Sequence, residues 1–231
     1  MERILVTGGD GRFAEKLKKI ETNLKFKYLS KNELNILSSS SIHKAIKKYK
    51  PKKILHLGGL SRPMAIHENN ITKSISLNII GTANLVNMCS KNKIKIIYFS
   101  TSYIYPGKKG NYKETDPLLP WNNYGWSKLG GEAAVQMYKN SLILRVCMTE
   151  KPFIHASAYA NVKSNFIFQE DLAKIFLKVI DKKGIYNIGG KSQTIFSFAK
   201  KNVKNVKKKI SKGEFPLKQN MNLDKLYKII K

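Results

Sequence analysis

Tyr124 and Lys128 form a pair of side chains that could transfer a proton. They lie four residues apart in the segment Asn123-Tyr124-Gly125-Trp126-Ser127-Lys128, and this spacing places two side chains on the same face of a helix. A lysine ammonium beside a tyrosine favours the phenolate, so we expect the pKa of Tyr124 to be lowered. A tyrosine tuned in this way can give a proton to a carbinol oxygen or take one from it.

A cluster of hydroxyl side chains precedes this pair in the sequence. The apolar segment Ile94 to Phe99 predicts a buried strand, and Ser100-Thr101-Ser102-Tyr103 follows it directly. In open α/β sheets, ligands bind at the carboxyl ends of the strands. A threonine hydroxyl there can hold the same oxygen as the tyrosine. We therefore predict that Thr101, Tyr124 and Lys128 are the catalytic residues.

A glycine-rich turn near the start of the chain is typical of a dinucleotide-binding site. Gly8 and Gly11 lie between the apolar strand Ile4-Leu5-Val6 and a predicted helix, with Ala14 at the third small position. Gly8 permits the tight turn, Gly11 lets the backbone approach a pyrophosphate, and Ala14 lets the helix and the strand pack closely. The backbone N–H groups at the start of the helix would then point toward the phosphates.

The end of the second predicted strand indicates which dinucleotide would bind. NAD-specific sites place a carboxylate there for the ribose 2′-hydroxyl, whereas this strand ends in Ser30 and Lys31. A hydroxyl and a cation suit a 2′-phosphate, and Arg12, beside Phe13 in the turn, adds a second cation. We therefore predict NADP(H) in preference to NAD(H), with these four residues among the cofactor contacts. The carboxylate of Glu33 nearby is the argument against this preference.

Short apolar segments alternate with helical segments along most of the chain. This alternation predicts an α/β protein built on a doubly wound parallel sheet. The pattern loosens after Arg145, so we predict one domain over residues 1–145. We expect residues 146–231 to form a small substrate lobe with a basic tail, packed on the first domain. The tail itself, residues 200–231, is expected to form one or two surface helices.

The composition limits the partners and the compartment. The chain carries 43 Lys and Arg against 15 Asp and Glu, a formal net charge of +28. Such a charge fits a polyanion partner, but the lysines are spread evenly among many Asn and Ile residues. We therefore favour a compositional bias and predict no nucleic-acid partner. No segment approaches the ~20 apolar residues that a membrane span needs. We expect no leader before the first strand. Neither Cys89 nor Cys147 has another Cys or a His at the spacing of metal ligands. We expect a cytoplasmic protein without a metal.

Together, these motifs resemble those of the extended short-chain dehydrogenase/reductases, which act on nucleotide sugars. The resemblance covers residues 3–190 and implies an NAD(P)-binding Rossmann fold. It implies catalytic roles for Thr101, Tyr124 and Lys128, with Lys128 also on the nicotinamide ribose, and cofactor packing along Gly58 and Gly59. The matching segments are Thr7-Gly8-x-x-Gly11, Ile54-Leu55-His56-Leu57-Gly58-Gly59, Asn78-x-x-Gly81-Thr82-x-Asn84-Leu85, Ser100-Thr101-Ser102, Tyr124-Gly125-x-Ser127-Lys128 with Glu132, Leu144-Arg145, and Tyr186-Asn187-Ile188-Gly189-Gly190.

Within this superfamily, the chain is most similar to the dTDP-4-dehydrorhamnose reductases. Ser102-Tyr103 occupies the position of the acidic residues of the dehydratases, and Tyr103 that of the epimerising cysteine of the GDP-fucose synthases. The segment Leu29 to Ile36 is also similar to the reductases, which adds Asn35 and Ile36 to the expected cofactor contacts. The resemblance implies reduction of a nucleotide-linked 4-keto-6-deoxy sugar, with a hydride from NADPH and a proton from Tyr124.

The substrate side is defined by fewer residues. Ser61 and Arg62 follow the third strand at its ligand end, and Arg62 either pairs with a substrate phosphate or lies in a solvated loop. With Ser102 and Tyr103, they are the predicted substrate-binding residues. Between Arg145 and Asp171 the chain is shorter than the usual insertion of the family, so we expect a shortened lobe.

Two other functions stay open: a nucleotide-sugar 4-epimerase, and a non-catalytic NADP-binding regulatory or RNA-associated module. A homodimer is a further hypothesis.

Overall fold

Strands and helices alternate through the first two thirds of the chain. The computed structural model describes residues 3–230. The strands are β1 (Arg3–Thr7), β2 (Lys25–Leu29), β3 (Lys53–His56), β4 (Lys95–Thr101), β5 (Ser141–Val146), β6 (Met148–Thr149), β7 (Ser157–Tyr159), β8 (Lys163–Ser164), β9 (Ile167–Phe168), β10 (Gly184–Ile188), β11 (Gln193–Thr194) and β12 (Lys207–Lys209). The α-helices are α1 (Arg12–Leu17), α2 (Ser39–Tyr49), α3 (Ile66–Asn69), α4 (Ile71–Ile75), α5 (Gly81–Lys91), α6 (Asn123–Gln136), α7 (Gln169–Val179), α8 (Ile195–Lys200) and α9 (Asp224–Ile230).

The main sheet has six strands in the order β2-β1-β3-β4-β5-β10. Every neighbouring pair is parallel, so the predicted doubly wound sheet is confirmed. The chain leaves β1 toward β2 on one side and later returns to β3 on the other. This reversal of strand order opens a crevice at the carboxyl ends of β1 and β3, which is where open α/β sheets bind their ligands.

Helices cover both faces of the sheet. One core contains Leu17 of α1, Phe176 of α7 and Leu226 of α9. The other contains Ile42 of α2 and Leu85 of α5. All residues of β4 and β5 are buried, as expected for central strands that pack against helices on both faces.

The segment Ile71 to Ser90 contains many apolar residues and predicts one long helix, but in the structure this helix is interrupted. A π-helical turn, Ser76–Ile80, joins α4 to α5. Such turns insert one extra residue into a helix and are frequent at functional sites. Here the turn contains Asn78, a buried residue that recurs below.

The C-terminal tail forms one of the one or two surface helices expected of it. Residues 201–230 contain one α-helix, α9, which is mostly exposed but whose Leu226 is fully buried in the core beneath α7. The rest of the tail is irregular apart from β12, which pairs with β7. Its apolar residues are too widely and irregularly spaced to form a continuous helical stripe, so tertiary contacts determine their positions.

The segment after Arg145 contributes to the main sheet as well as to a smaller unit. It supplies β10 as the sixth strand, and a separate apolar cluster around Phe153, Val162 and Phe198. The division into residues 1–145 and 146–231 stays a prediction.

Across residues 3–230, every helix is too short or too polar to span a bilayer.

Candidate active site

The glycine-rich turn is held against two neighbouring segments by backbone contacts. Gly8 has a φ of +66°, a conformation that favours glycine, and a Cβ there would lie 2.8 Å from the Cα of Gly58. The N–H of Gly11 donates to the carbonyl of Gly8 at 2.9 Å, and the N–H of Gly9 donates to the carbonyl of Leu29 at 2.8 Å. The turn therefore lies between the ends of β2 and β3, at the crevice of the sheet.

A buried chain of hydrogen bonds supports this turn from below. The N–H of Gly58 donates to Thr7 Oγ1 at 3.0 Å, and Thr7 Oγ1 lies 2.8 Å from His56 Nδ1. His56 Nε2 lies 3.0 Å from Thr82 Oγ1, whose hydroxyl donates to the carbonyl of Asn78. Since Thr82 uses its proton on Asn78, His56 donates from Nε2 and accepts at Nδ1. Burial lowers the pKa of His56 to about 3, so the ring is neutral at physiological pH.

Asn78 connects the loop after β3 to helix α6. Its side-chain amide accepts from the N–H of Leu60 at 2.7 Å and donates to the carbonyl of Leu60 at 2.9 Å. It also donates to Ser127 Oγ at 2.8 Å. A Cβ on Gly59 would lie 2.9 Å from Asn78 Oδ1, so this predicted cofactor position packs directly against the network.

The three predicted catalytic residues line two adjoining cavities above the carboxyl ends of the strands. Gly11, Tyr124 and Lys128 line the first, with a volume of about 200 Å³, which we call the turn-side cavity. Thr101 and Tyr124 line the second, of about 220 Å³, which we call the lobe-side cavity. Tyr124 belongs to both walls, so the structure brings the three predicted catalytic residues and the glycine-rich turn to one cleft.

Burial governs the protonation of Tyr124. It raises the pKa of the phenol, while the nearby hydroxyl of Thr101 and the charges of Arg62 and Arg12 act in the opposite direction. The expectation of a lowered pKa is therefore wrong for the ligand-free protein. The phenolate loses hydration inside the cleft, and this cost exceeds the stabilisation from the neighbouring donors and cations.

Lys128 is itself affected by its surroundings. Burial lowers the pKa of its ammonium to about 7, against the favourable charge of Glu132. Its Nζ lies 4.1 Å from the centre of the Tyr98 ring, a distance typical of a cation–π contact. Near neutral pH, Lys128 is therefore only partly charged. Burial, rather than the charge of Lys128, is the main influence on the pKa of Tyr124.

The predicted 2′-phosphate residues lie at the end of β2, beside the glycine-rich turn. The N–H of Ser30 donates to Glu33 Oε2 at 2.9 Å, and the N–H of Glu33 donates to Ser30 Oγ at 3.3 Å. The carboxylate of Glu33 is therefore folded back onto Ser30 rather than extended. Lys31 is exposed to solvent.

The other predicted cofactor contacts divide into those that line a cavity and those, Gly8 and Gly58 among them, that do not. Arg12, Phe13 and Gly59 line the turn-side cavity. Asn35 and Ile36 line neither cavity: the N–H of Asn35 donates to Ser41 Oγ, and Ile36 is buried against Gly81. These two residues instead position the loop that follows β2.

All four predicted substrate-binding residues line the lobe-side cavity, namely Ser61, Arg62, Ser102 and Tyr103. Arg62 forms an ion pair with Glu150 at 2.7 Å. The ring of Tyr103 packs on Trp121 and Phe215, with centroids 5.1 and 5.7 Å away. Phe215 comes from the C-terminal tail, so the tail supports one wall of the cleft.

The sequence interpretation missed the residues that follow β5. Val146 and Met148 line both cavities, and Cys147 and Glu150 line the lobe-side cavity. The rule already applied to β3 and β4, that ligands bind where parallel strands end, also points to this segment. Gln169, at the start of α7, lines both cavities as well, and no pattern in the sequence indicated it.

A buried ion pair anchors helix α6 to the sheet behind the predicted catalytic residues. Arg145 Nη2 lies 2.7 Å from Glu132 Oε1, and their side chains are 2% and 0% exposed. Arg145 Nη1 also donates to Tyr105 Oη at 2.8 Å and to the carbonyl of Glu114 at 2.9 Å. Tyr105 Oη in turn donates to Asn187 Oδ1 at 2.8 Å. The motif residues Glu132, Arg145 and Asn187 thus form one network.

Among the described residues, no three His, Cys, Asp or Glu side chains are grouped as a metal site would require.

The fold and the site together define the class of this protein, a Rossmann-type α/β protein with the tyrosine–lysine pair of the short-chain dehydrogenase/reductases. The family described as RmlD substrate binding domain matches residues 1–169. The chain therefore belongs to the RmlD substrate-binding domain family.

Comparison with individual proteins agrees with this assignment. The chain is 33% identical over 103 residues to the methionine adenosyltransferase 2 subunit beta of Pongo abelii, covering 45% of this chain and 30% of that protein. It is 30% identical over 154 residues to the dTDP-4-dehydrorhamnose reductase of Aggregatibacter actinomycetemcomitans, covering 64% and 52%. The matches thus span from under a third to about half of the length of these relatives. The dTDP-4-dehydrorhamnose reductase of Bacillus anthracis, solved with NADP, has the same fold with a TM-score of 0.86, 22% identity and coverage of 98% and 91%.

Proposed function

We propose that the protein is an NADPH-dependent reductase of a nucleotide-linked 4-keto-6-deoxy sugar. One observation carries this proposal: Tyr124 lines both cavities of the cleft, with Lys128 on the turn side and Thr101 on the lobe side. A proton donor in that position can reach a carbonyl held between a cofactor and a substrate lobe. A cytoplasmic location, without nucleic acid as a partner, belongs to the same proposal.

The residues of the turn-side cavity fit a dinucleotide. A side chain at Gly8 would collide with Gly58, so the turn packs tightly against the loop after β3. Gly11 of the same turn lines the cavity. Lys31 and Ser30 lie beside the turn, and Arg12 lines the cavity, which favours NADP(H) over NAD(H). When bound, NADPH would supply the hydride. Lys128 would hold the nicotinamide ribose, as the resemblance implies.

The raised pKa of Tyr124 suits reduction. A phenol that stays protonated at neutral pH is ready to donate its proton to the carbonyl oxygen as that oxygen gains negative charge. The Thr101 hydroxyl can donate to the same oxygen. The charges of Arg62 and Arg12, which favour the phenolate, then stabilise Tyr124 after it has lost its proton.

The decisive experiment compares Tyr124→Phe with Tyr227→Phe. Tyr227 lies on α9 and is partly exposed, so its loss leaves the cleft intact. We expect the wild-type protein and Tyr227→Phe to consume NADPH when dTDP-4-dehydrorhamnose is added. Tyr124→Phe should be slower by a factor of about 10² to 10⁴, the usual contribution of a general acid. Wild-type rates in Tyr124→Phe would contradict the proposed role. NADPH should also bind more tightly than NADH, and equal dissociation constants would contradict the cofactor preference.

A second candidate is a non-catalytic regulatory subunit. The match to a subunit of a methionine adenosyltransferase favours it. This alternative predicts NADP(H) binding with no consumption of NADPH by any 4-keto sugar nucleotide, in the wild type as in Tyr124→Phe. The same assay therefore distinguishes the two candidates.

A further inference from the structure

Two arginines meet on a single carboxylate oxygen in the wall of the lobe-side cavity. Arg62 Nη1 lies 2.7 Å from Glu150 Oε1, and Arg12 Nη1 lies 3.1 Å from the same atom. The three residues come from distant parts of the chain: Arg12 begins α1, Arg62 follows β3, and Glu150 follows β6. All three line the cavity that also contains Thr101 and Tyr124.

This arrangement leaves charge and hydrogen-bonding capacity unused. Two cations face one anion, so the cluster keeps a net positive charge. Each guanidinium carries five N–H donors. Among the residues described, the two arginines make one hydrogen bond besides those to Glu150, a long one from Arg12 Nη2 to Ser61 Oγ at 3.4 Å. The second oxygen of Glu150, Oε2, is buried and has no hydrogen-bond partner in this part of the chain.

Such a carboxylate is held less firmly than its short contacts suggest. A buried carboxylate oxygen without a donor has lost its hydration without replacement, which costs free energy. The side chain of Arg12 is 49% exposed, so one of the two cations is open to solvent and to ligands. An anion with several acceptor oxygens could engage both guanidinium groups at once, because their planar forks match phosphate geometry.

We propose that Arg12 and Arg62 form a subsite for the diphosphate of the nucleotide-linked substrate, and that Glu150 occupies this subsite until the diphosphate displaces it. The identity of the ligand rests on the proposed function. Arg62 lines only the lobe-side cavity, whereas Arg12 lines both. Arg62 therefore assigns the subsite to the substrate rather than to the pyrophosphate of a dinucleotide, and Arg12, which lines both cavities, would lie between the substrate and the cofactor.

The test measures binding of dTDP by calorimetry, without NADPH and without turnover, to the wild-type protein and three variants. Glu150→Gln removes the competing charge, and we expect it to tighten dTDP binding by about tenfold, as for one charge-assisted contact. Arg62→Gln should weaken dTDP binding by about tenfold or more and leave NADPH binding unchanged. The control is Glu170→Gln, which removes the same charge from the ion pair with Lys16 at 2.7 Å, and we expect a change of less than about twofold. Circular dichroism verifies that each variant is folded.

Several results would overturn the proposal. Equal effects of Glu150→Gln and Glu170→Gln would attribute the change to overall charge alone. Weaker NADPH binding in Arg62→Gln would assign the subsite to the cofactor, and absence of dTDP binding to the wild type would remove it. If Glu150→Gln fails to fold, Glu150→Asp, whose carboxylate is drawn back by one methylene, should still tighten dTDP binding, and an unchanged affinity would count against the proposal. Because no turnover is measured, this test can fail while the reductase assay succeeds, and the reverse.

Discussion

Replacement of Glu132 by Gln tests the ion pair that anchors helix α6 to the sheet. Glu132 and Arg145 are almost fully buried, and Arg145 Nε and Nη2 lie 3.1 and 2.7 Å from the same Glu132 oxygen. Glu132→Gln keeps the size of the side chain but leaves the Arg145 charge without an anion inside the protein. Removal of one partner from a buried pair costs about 3–5 kcal/mol. We expect the free energy of unfolding to fall by that amount.

Urea denaturation followed by circular dichroism measures this loss. The matched control is Glu170→Gln, because Glu170 also pairs with a cation, Lys16, but both side chains are partly exposed. Exposed pairs contribute about 0–1 kcal/mol, so the control should change stability little. A loss in Glu132→Gln no larger than that in Glu170→Gln would refute the reasoning, since it would mean that water or a neighbouring group compensates the Arg145 charge.

Two further predictions concern the turn and the lysine. Gly8→Ala should abolish NADPH binding, because it combines a strained φ of +66° with a collision against Gly58. The control Gly184→Ala has a φ of +88° and no neighbour within 4 Å, so it should cost about 1–2 kcal/mol of stability and leave NADPH binding intact. Retained NADPH binding in Gly8→Ala, measured by fluorescence titration, would count against the packed turn. Lys128→Met should be more stable than the wild type at about pH 7 and lose this advantage as the pH rises toward 10.5. The reason is that the Lys128 pKa falls from 10.5 in the unfolded chain to about 7 in the folded protein, so the unfolded chain binds more protons between these values and wild-type stability rises with pH. A stability difference that stays constant across this range would contradict the shifted pKa.

The fold could be predicted from the sequence because its signals are local. Each strand of the main sheet is a short apolar segment, and the glycine-rich turn lies directly between such a segment and a helix. The tail could not be predicted in this way. Leu226 and Phe215 are separated by polar residues, and each is positioned by what it meets, the core beneath α7 and the rings of Tyr103 and Trp121.

The composition of the site was predictable, but its electrostatics were not. Strand ends and helical spacing predict Thr101, Tyr124 and Lys128 as catalytic residues, and the structure brings all three to one cleft. The pairing of Glu150 with Arg12 and Arg62 joins segments that are remote in the sequence, so no spacing rule could indicate it. The protonation of Tyr124 depends on how deeply the folded chain buries it, and burial is a property of the tertiary structure.

The distribution of charge around Tyr124 supports donation rather than abstraction of a proton. If Lys128 were fully charged and close to the phenol, Tyr124 would carry a phenolate at rest and would suit oxidation of an alcohol. Instead, burial keeps the phenol protonated and leaves Lys128 only partly charged near pH 7. The permanent cations in the cleft are Arg12 and Arg62, whose charge Glu150 partly neutralises. If a bound diphosphate displaced Glu150, each of its two phosphates would pair with one arginine. The electric field at Tyr124 would therefore depend on which anion, Glu150 or the diphosphate, lies beside the two arginines. Substrate binding and proton donation would thus be coupled through the same pair of arginines.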